Sequence, residues 1–220
     1  MPPRRLFIHS AERPVHSAWL HLDANPEQSL ALDVGMSVQE QADAVRSGSR
    51  TESSLLFAHS IRAVPAVLAA RSAHVSGLVL VEPALYDLAR GVPSIERHIA
   101  IVSEARALAS TGDLRGCWAM LRPVMFGGPF DEDLWATEAA TAERWSTTPV
   151  PWGHGIRERM VAGIPILVVT GGWNDEYEAI AEILSSRGAE HVILPGAGHR
   201  PQDLPGLGPV VEEFESRLRR

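Results

Sequence analysis

The sequence predicts an α/β fold, with a mostly parallel sheet of about six strands flanked by helices and a helical insertion. Short apolar segments alternate with helical patterns in the first and last parts of the chain. A nearly continuous apolar run over 77–81 is typical of a central parallel strand that is buried on both faces. Between about 85 and 161 the alternation stops, and helical and irregular segments replace it.

The first part of the chain supplies four predicted strands. They are Leu6–His9, Ser29–Leu32, Leu55–Ala58 and Val75–Val81. Helices are predicted over 17–22, 38–45 and 63–70, and the second of these begins at a capping box formed by Ser37 and Glu40. Alternating strands and helices imply right-handed crossovers, which produce parallel neighbours.

The remaining elements divide into an insertion and a return to the sheet. Helices are predicted over 94–110, 114–121 and 131–144, then strands over 164–170 and 191–194, and helices near 176–187 and 208–218. We therefore predict a core made of residues 1–84 and 162–220, and a cap or lid made of residues 85–161. The alternative is that the insertion only adds packing helices and takes no part in a pocket.

Composition excludes several classes of function. The 220 residues carry a net charge of −7 with no dense basic run, which argues against a nucleic-acid partner. The single cysteine, Cys117, indicates a reducing compartment, and no membrane-spanning stretch or signal peptide is visible, so we expect a cytoplasmic protein. The histidines lack metal-ligand spacing and no glycine-rich phosphate loop follows a strand, so we expect neither metal nor cofactor.

Ser60 lies where the third strand gives way to a helix. A serine on such a sharp turn points its hydroxyl out of the sheet, which is the geometry of a nucleophile elbow. The usual pattern is G-x-S-x-G, whereas this chain has Ala58-His59-Ser60-Ile61-Arg62. Because ligands bind at the carboxyl ends of parallel strands, Ser60 is a candidate nucleophile.

Two further groups follow strands that end at the same edge of the predicted sheet. His199 stands on a glycine-rich loop after the last strand. A carboxylate is available either from Glu82, just after the fourth strand, or from Asp175, just after the fifth. Serine, then acid, then histidine is the chain order of the hydrolase triad on an α/β sheet.

These residues make the sequence similar to the α/β-hydrolase superfamily over most of its length. Phe7–Ala11 resembles the strand-to-loop segment that supplies one oxyanion-hole amide, 58–62 resembles the elbow, and Gly196–His199 resembles the Gly-x-Gly-His loop. The usual first two antiparallel strands of the family have no counterpart here.

The resemblance implies acyl transfer to water, with a small-molecule substrate and a monomer or homodimer. Ser60 would attack a carbonyl carbon, His199 would accept its proton, and the amides of Ile61 and Ala11 would stabilise the oxyanion.

Most of the family takes its acid after the strand that matches 164–170, where the usual position is Asn174 here and Asp175 would serve if the loop shifts by one residue. Some relatives take it after the preceding strand, where Glu82 lies. Both candidates stay open at this stage.

The expected substrate pocket includes two residues of the oxyanion loop and three tryptophans of the insertion. These are His9, Ser10, Trp118, Trp135 and Trp152. Arg62 stands where the elbow usually has a small residue, and it could extend to an acidic partner, bind an anionic substrate group, or distort the elbow. The tryptophans favour an apolar or aromatic ester. A hydrolase-like protein that binds a ligand without catalysis is the alternative function.

Overall fold

The computed structural model describes residues 3–71 and 74–219. Its six strands form one all-parallel sheet in the order β2-β1-β3-β4-β5-β6, so the predicted fold class is confirmed. The strands are β1 (Arg4–Ser10), β2 (Ser29–Leu32), β3 (Ser54–His59), β4 (Val75–Val81), β5 (Ile166–Thr170) and β6 (Glu190–Ile193).

Eight α-helices lie within the described residues. They are α1 (Val15–Ala18), α2 (Val38–Gly48), α3 (Ala63–Ala70), α4 (Pro93–Ser110), α5 (Leu114–Phe126), α6 (Trp135–Thr147), α7 (Asp175–Ser185) and α8 (Leu207–Leu218). The capping box of Ser37 and Glu40 is present at the start of α2, as the sequence predicts.

Three helical predictions were wrong in their bounds by four residues or more, and one of them is α5, which continues five residues beyond the predicted end at 121. The helix predicted over 17–22 is only the single turn of α1, because Trp19 leaves the helical conformation and buries its ring against Phe7, 5.8 Å away between centroids. The helix predicted over 131–144 begins four residues later, since the side chain of Asp131 caps a 3-10 turn at 132–134. Local capping chemistry decided the start of α6.

The sheet has a packed core on each face. Phe7, Phe57, Val79 and Val169 point to one face, where they form a cluster with residues of α1 and α8. Leu6 points to the opposite face, where it packs near Gly48 at the end of α2. This alternation follows from the two-residue period of a strand, and it explains why both faces of the central strands are apolar.

The chain divides into two compact units. One comprises residues up to Ala89 together with those from Val150 onward, and contains the whole sheet. The other, Arg90–Pro149, contains α4, α5 and α6. In the described part of the chain, no helix is long and apolar enough to cross a bilayer.

Candidate active site

Ser60 follows β3 on a tight turn. Its φ of +54° is in the left-handed region, which is costly for a residue with a side chain, and a 3-10 turn at Ser60–Arg62 then leads into α3. This conformation projects the hydroxyl past the end of the sheet. The Oγ lies 3.0 Å from Nε2 of His199, a distance at which a serine hydroxyl donates to a neutral imidazole.

Backbone strain is concentrated at this edge of the sheet. Of the described residues other than glycine, three have positive φ: Asp23, Ser60 and Glu82. Two of the three follow the adjacent central strands β3 and β4, so their side chains are turned toward the same region. Strain of this kind persists only where surrounding structure holds it, and it clusters at functional sites.

His199 lies on the loop between β6 and α8. Its backbone carbonyl accepts a hydrogen bond from Nε2 of His59 at 2.7 Å, which ties this loop to the residue before Ser60. The second ring nitrogen, Nδ1, is buried and lies 3.5 Å from Oε2 of Glu82. At this distance the two groups face each other without a hydrogen bond, and Nδ1 has no hydrogen-bond partner among the described residues.

Glu82 is fully buried, and its carboxylate is fixed by two donors. The backbone N–H of Gly171 donates to Oε1 at 2.5 Å, and the indole N–H of Trp173 donates to Oε2 at 3.1 Å. A buried carboxylate needs such partners to keep its charge. Glu82 is therefore held as an acceptor beside the histidine.

Asp175 is placed differently. It is solvent-exposed in the first turn of α7, where Asn174 caps the helix by accepting from the N–H of Glu176. Among the interactions of the described residues, Asp175 makes no ion pair with His199. Of the two predicted acids, the structure brings Glu82 to the imidazole and leaves Asp175 at a helix end, where a negative charge favours the dipole.

The two predicted oxyanion donors are not equivalent. Ile61 directly follows Ser60 in the first turn of a helical segment, where backbone amides have no intrahelical acceptor. The N–H of Ala11, in contrast, donates to the carbonyl oxygen of Leu32 at 3.0 Å. The expectation that Ala11 faces an oxyanion therefore does not agree with this hydrogen bond.

His9 and Ser10 hold the loop that follows β1. His9 is buried, and its Nδ1 donates to the carbonyl of Arg13 at 2.8 Å. The Ser10 hydroxyl accepts a long bond of 3.4 Å from the N–H of Glu12. Both polar groups are engaged within the loop, and their predicted pocket role stays a prediction.

Arg62 extends away from the turn without displacing it. Its guanidinium donates to Oε1 of Gln41 on α2 at 2.7 Å and to the carbonyl of Leu32 at 3.4 Å. Burial lowers the pKa of this guanidinium, and the carboxylates of Glu12 and Asp33 oppose that change. The side chain is extended, as in the first of the three alternatives for Arg62, but its hydrogen-bond partners are an amide and a backbone carbonyl rather than an acidic side chain.

Two aromatic residues lie close to the ring of His199, and a third, Tyr86, follows β4; sequence reasoning missed all three. The ring of Tyr177 is 5.0 Å from the His199 ring, and the ring of Trp173 is 6.1 Å from it. Tyr86 is buried and donates its hydroxyl to Glu176 at 2.5 Å. The only available signal was their position just after β4 or β5.

The three tryptophans predicted to line a pocket fall in different units. Trp152 packs near Tyr86, with ring centroids 5.9 Å apart, in the unit that contains the sheet. Trp118 and Trp135 belong to the helical unit, where Trp118 is buried and donates to Glu138 at 2.6 Å. A pocket role for these three residues stays a prediction, as does a lid role for the insertion.

Acid pH is expected to destabilise the fold through His59. Burial holds the pKa of its ring well below the ordinary 6.5, and the charges of His199 and nearby arginines lower it further. Below pH 6.5 the unfolded chain therefore binds a proton that the folded chain does not. The free energy of unfolding should fall with decreasing pH, by up to about 1.4 kcal/mol per pH unit from this group.

The measurement is urea unfolding at pH 7.5, 6.5 and 5.5 for the wild type and His59→Gln. The other histidines are common to both proteins, so the difference between the two pH profiles isolates His59. The variant should lose less stability between pH 6.5 and 5.5. Parallel profiles would contradict the assignment of this acid sensitivity to His59.

Comparisons with known proteins agree on the architecture. No protein-family model and no curated protein sequence matches this chain. A hydrolase from Oleispira antarctica superposes with a TM-score of 0.60 at 14% identity, covering 96% of this chain and 90% of that one. An α/β hydrolase from Sphaerobacter thermophilus gives 0.57 at 18% identity, covering 96% and 92%.

A third solved structure extends the likeness along nearly the whole chain. The esterase from Thermogutta terrifontis superposes with a TM-score of 0.54 at 15% identity, covering 98% of this chain and 90% of that chain. At this level of identity the superposition shows a shared fold and gives no information about the reaction. With its parallel six-stranded sheet and its neighbours, this chain has the α/β-hydrolase fold.

Proposed function

We propose that this protein is a serine hydrolase that cleaves a small carboxylic ester through an acyl-enzyme. The observation that carries the proposal is the 3.0 Å distance between Ser60 Oγ and His199 Nε2, with the serine on a strained turn at the carboxyl edge of the sheet. A nucleophile within reach of its base, and a base facing a third group, is the pattern of covalent catalysis.

The proposed reaction has two halves. In the first, His199 Nε2 takes the proton of Ser60 as Oγ attacks the carbonyl carbon, and then gives that proton to the leaving alcohol. In the second, water attacks the acyl group with His199 again as the base. The buried carboxylate of Glu82 stabilises the imidazolium that forms in each half, and the Ile61 amide donates to the oxyanion.

The substrate class follows from the surroundings of the serine. The rings of Trp173 and Tyr177 lie within about 6 Å of the histidine ring, and Tyr86, which follows β4, packs near Trp152. Aromatic walls with a few polar groups favour an apolar or aromatic acyl group over a charged one. The same acyl-enzyme mechanism would also cleave an amide, a lactone or a thioester. One of the proteins with a similar fold is an esterase, which favours the ester.

A second candidate function is ligand binding without turnover. Its support is the Ala11 amide, which is engaged by the Leu32 carbonyl, so that one of the two usual oxyanion donors is occupied. A protein with this site could hold a carbonyl compound beside Ser60 without hydrolysing it.

A fluorophosphonate probe discriminates between the two. The wild-type protein is expected to form a covalent adduct, located on Ser60 by peptide mass spectrometry, and to hydrolyse p-nitrophenyl esters of short or aromatic acids. Ser60→Ala should abolish both, with unchanged thermal unfolding. Absence of an adduct on the folded wild type, under conditions that label a known esterase, would contradict the hydrolase proposal and support ligand binding.

A further inference from the structure

Trp173 lies beside the proposed acid and base, and about half of its surface is in solvent. The residue is 48% exposed, and its ring centroid is 6.1 Å from that of His199, at an interplanar angle of 73°. Its indole N–H nevertheless points inward, where it donates to Oε2 of the fully buried Glu82 at 3.1 Å. Water could satisfy the N–H of a half-exposed tryptophan, so burial does not force this inward direction.

A tight turn after β5 brings the indole to the carboxylate. Gly172 has a φ of +67°, in the left-handed region that glycine adopts without steric cost. On one side of it, the N–H of Gly171 donates to Oε1 of Glu82 at 2.5 Å, and on the other side Trp173 donates to Oε2. Two residues of a single turn therefore hold both oxygens of the proposed acid.

Oε2 of Glu82 is also the oxygen that faces the histidine. It lies 3.5 Å from Nδ1 of His199, which is buried and has no hydrogen-bond partner among the described residues. In the free protein, the imidazole therefore does not fix the direction of the carboxylate. Because Oε1 is bound to the Gly171 amide, the Trp173 N–H is the group that holds Oε2 on the imidazole side.

The direction of this carboxylate matters when the imidazole becomes charged. When Ser60 gives its proton to Nε2 of His199, the ring becomes an imidazolium, and its Nδ1–H becomes a stronger donor toward Oε2. Catalytic hydrogen bonds are often long before substrate binds and shorten during the reaction. A carboxylate that already faces Nδ1 needs only a small movement to make that bond, whereas a carboxylate free to rotate must first be reoriented.

We propose that Trp173 is a positioning residue, whose indole N–H holds Oε2 of Glu82 toward His199 during catalysis. The inference rests on the proposed hydrolase function. In acylation the Ser60 proton passes to His199 Nε2, an Oγ lone pair forms the bond to the carbonyl carbon, and the carbonyl π electrons move to the carbonyl oxygen. The indole keeps its proton throughout and acts through the carboxylate, which stabilises the imidazolium.

Replacing the indole N–H by sulfur tests the inference without changing the shape of the ring. β-(3-Benzothienyl)alanine, introduced at position 173 by amber suppression, keeps the aromatic ring beside His199 and cannot donate. We expect kcat for p-nitrophenyl esters to fall ~10- to 10²-fold with KM nearly unchanged, since hydrogen bonds to charged groups are worth this much. The same replacement at position 145 is the control, because the N–H of Trp145 is buried without a hydrogen-bond partner among the described residues. That variant should keep the wild-type kcat.

A double-mutant cycle asks whether the indole acts through Glu82. Trp173→Phe also removes the N–H, and it should slow fluorophosphonate labelling of Ser60 ~10- to 10²-fold when Glu82 is present. In Glu82→Gln the same substitution should cost less than about threefold, because the carboxylate that the indole orients is already absent and the two effects are not additive.

Two results would overturn the inference. An unchanged kcat with benzothienylalanine at position 173 would show that the N–H contributes nothing. Equal losses from Trp173→Phe with and without the Glu82 carboxylate would show that the residue does not act through the acid. Both results would leave the hydrolase proposal intact. An unlabelled wild type would instead contradict the hydrolase function itself, and this role of Trp173 with it.

Discussion

Glu82→Gln is expected to lower kcat ~10³–10⁴-fold, the loss seen when the acid of a serine triad becomes an amide. The Glu82 carboxylate accepts from Gly171 and Trp173 and faces Nδ1 of His199. A glutamine must place its NH₂ toward one of these groups. If it meets the imidazole, it stabilises the tautomer with its proton on Nε2, which cannot accept from serine.

Asp175→Asn is the matched control for this substitution. It makes the same change from acid to amide at the other predicted position, which is exposed in the first turn of α7. We expect kcat within a factor of a few of the wild type, with at most a small loss of stability from the weaker helix-dipole interaction. Steady-state ester hydrolysis measures both variants. Equal losses in the two, or a larger loss for Asp175→Asn, would contradict the assignment of Glu82 as the acid.

Gly171→Ala is expected to damage both activity and stability. A methyl group added at Gly171 would overlap the carbonyl oxygen of Gly198 and come within 2.9 Å of the Trp173 ring. Gly171 follows β5 and donates its N–H to Glu82, while Gly198 precedes His199. The segment that fixes the acid and the loop that contains the histidine are therefore in contact here. Either backbone must move, and a displacement of about 1 Å at a catalytic group can cost ~10²-fold in rate.

Overpacking of this kind typically costs about 1–3 kcal/mol, measurable as a lower free energy of unfolding in urea. Gly206→Ala provides the control, since this glycine has a helical φ of −65° and its added methyl group would meet only Leu194, at 3.6 Å. That variant should keep the activity and stability of the wild type. Full activity in Gly171→Ala would show that the two loops do not need their close approach.

Much of the fold could be predicted because its signals are local. The alternation of apolar runs with helical patterns identified all six strands of the sheet, and the capping box of Ser37 and Glu40 marked the start of α2. Such features depend on residues within a few positions of one another. The bounds of α1 and α6 were wrong because they depend on the burial of Trp19 and on the cap at Asp131.

The site was predictable only in outline. Chain order and strand ends pointed to Ser60 and His199, which lie 139 residues apart in sequence and 3.0 Å apart in space. They did not separate Glu82 from Asp175, since both follow strands that end at the same edge. The direction of each carboxylate depends on the backbone at that point, and Glu82 turns inward with a φ of +45°.

The sequence by itself therefore determined the layered architecture and the hydroxyl and imidazole that meet at its edge. Only the tertiary structure decided which acid faces the histidine, that the Ala11 amide is engaged, and that the ring of Tyr177 lies beside that of His199. The physical reason is the range of the interactions. Hydrophobic periodicity and helix caps depend on residues that are close in sequence. A contact between two strand ends depends instead on the order, register and twist of the whole sheet.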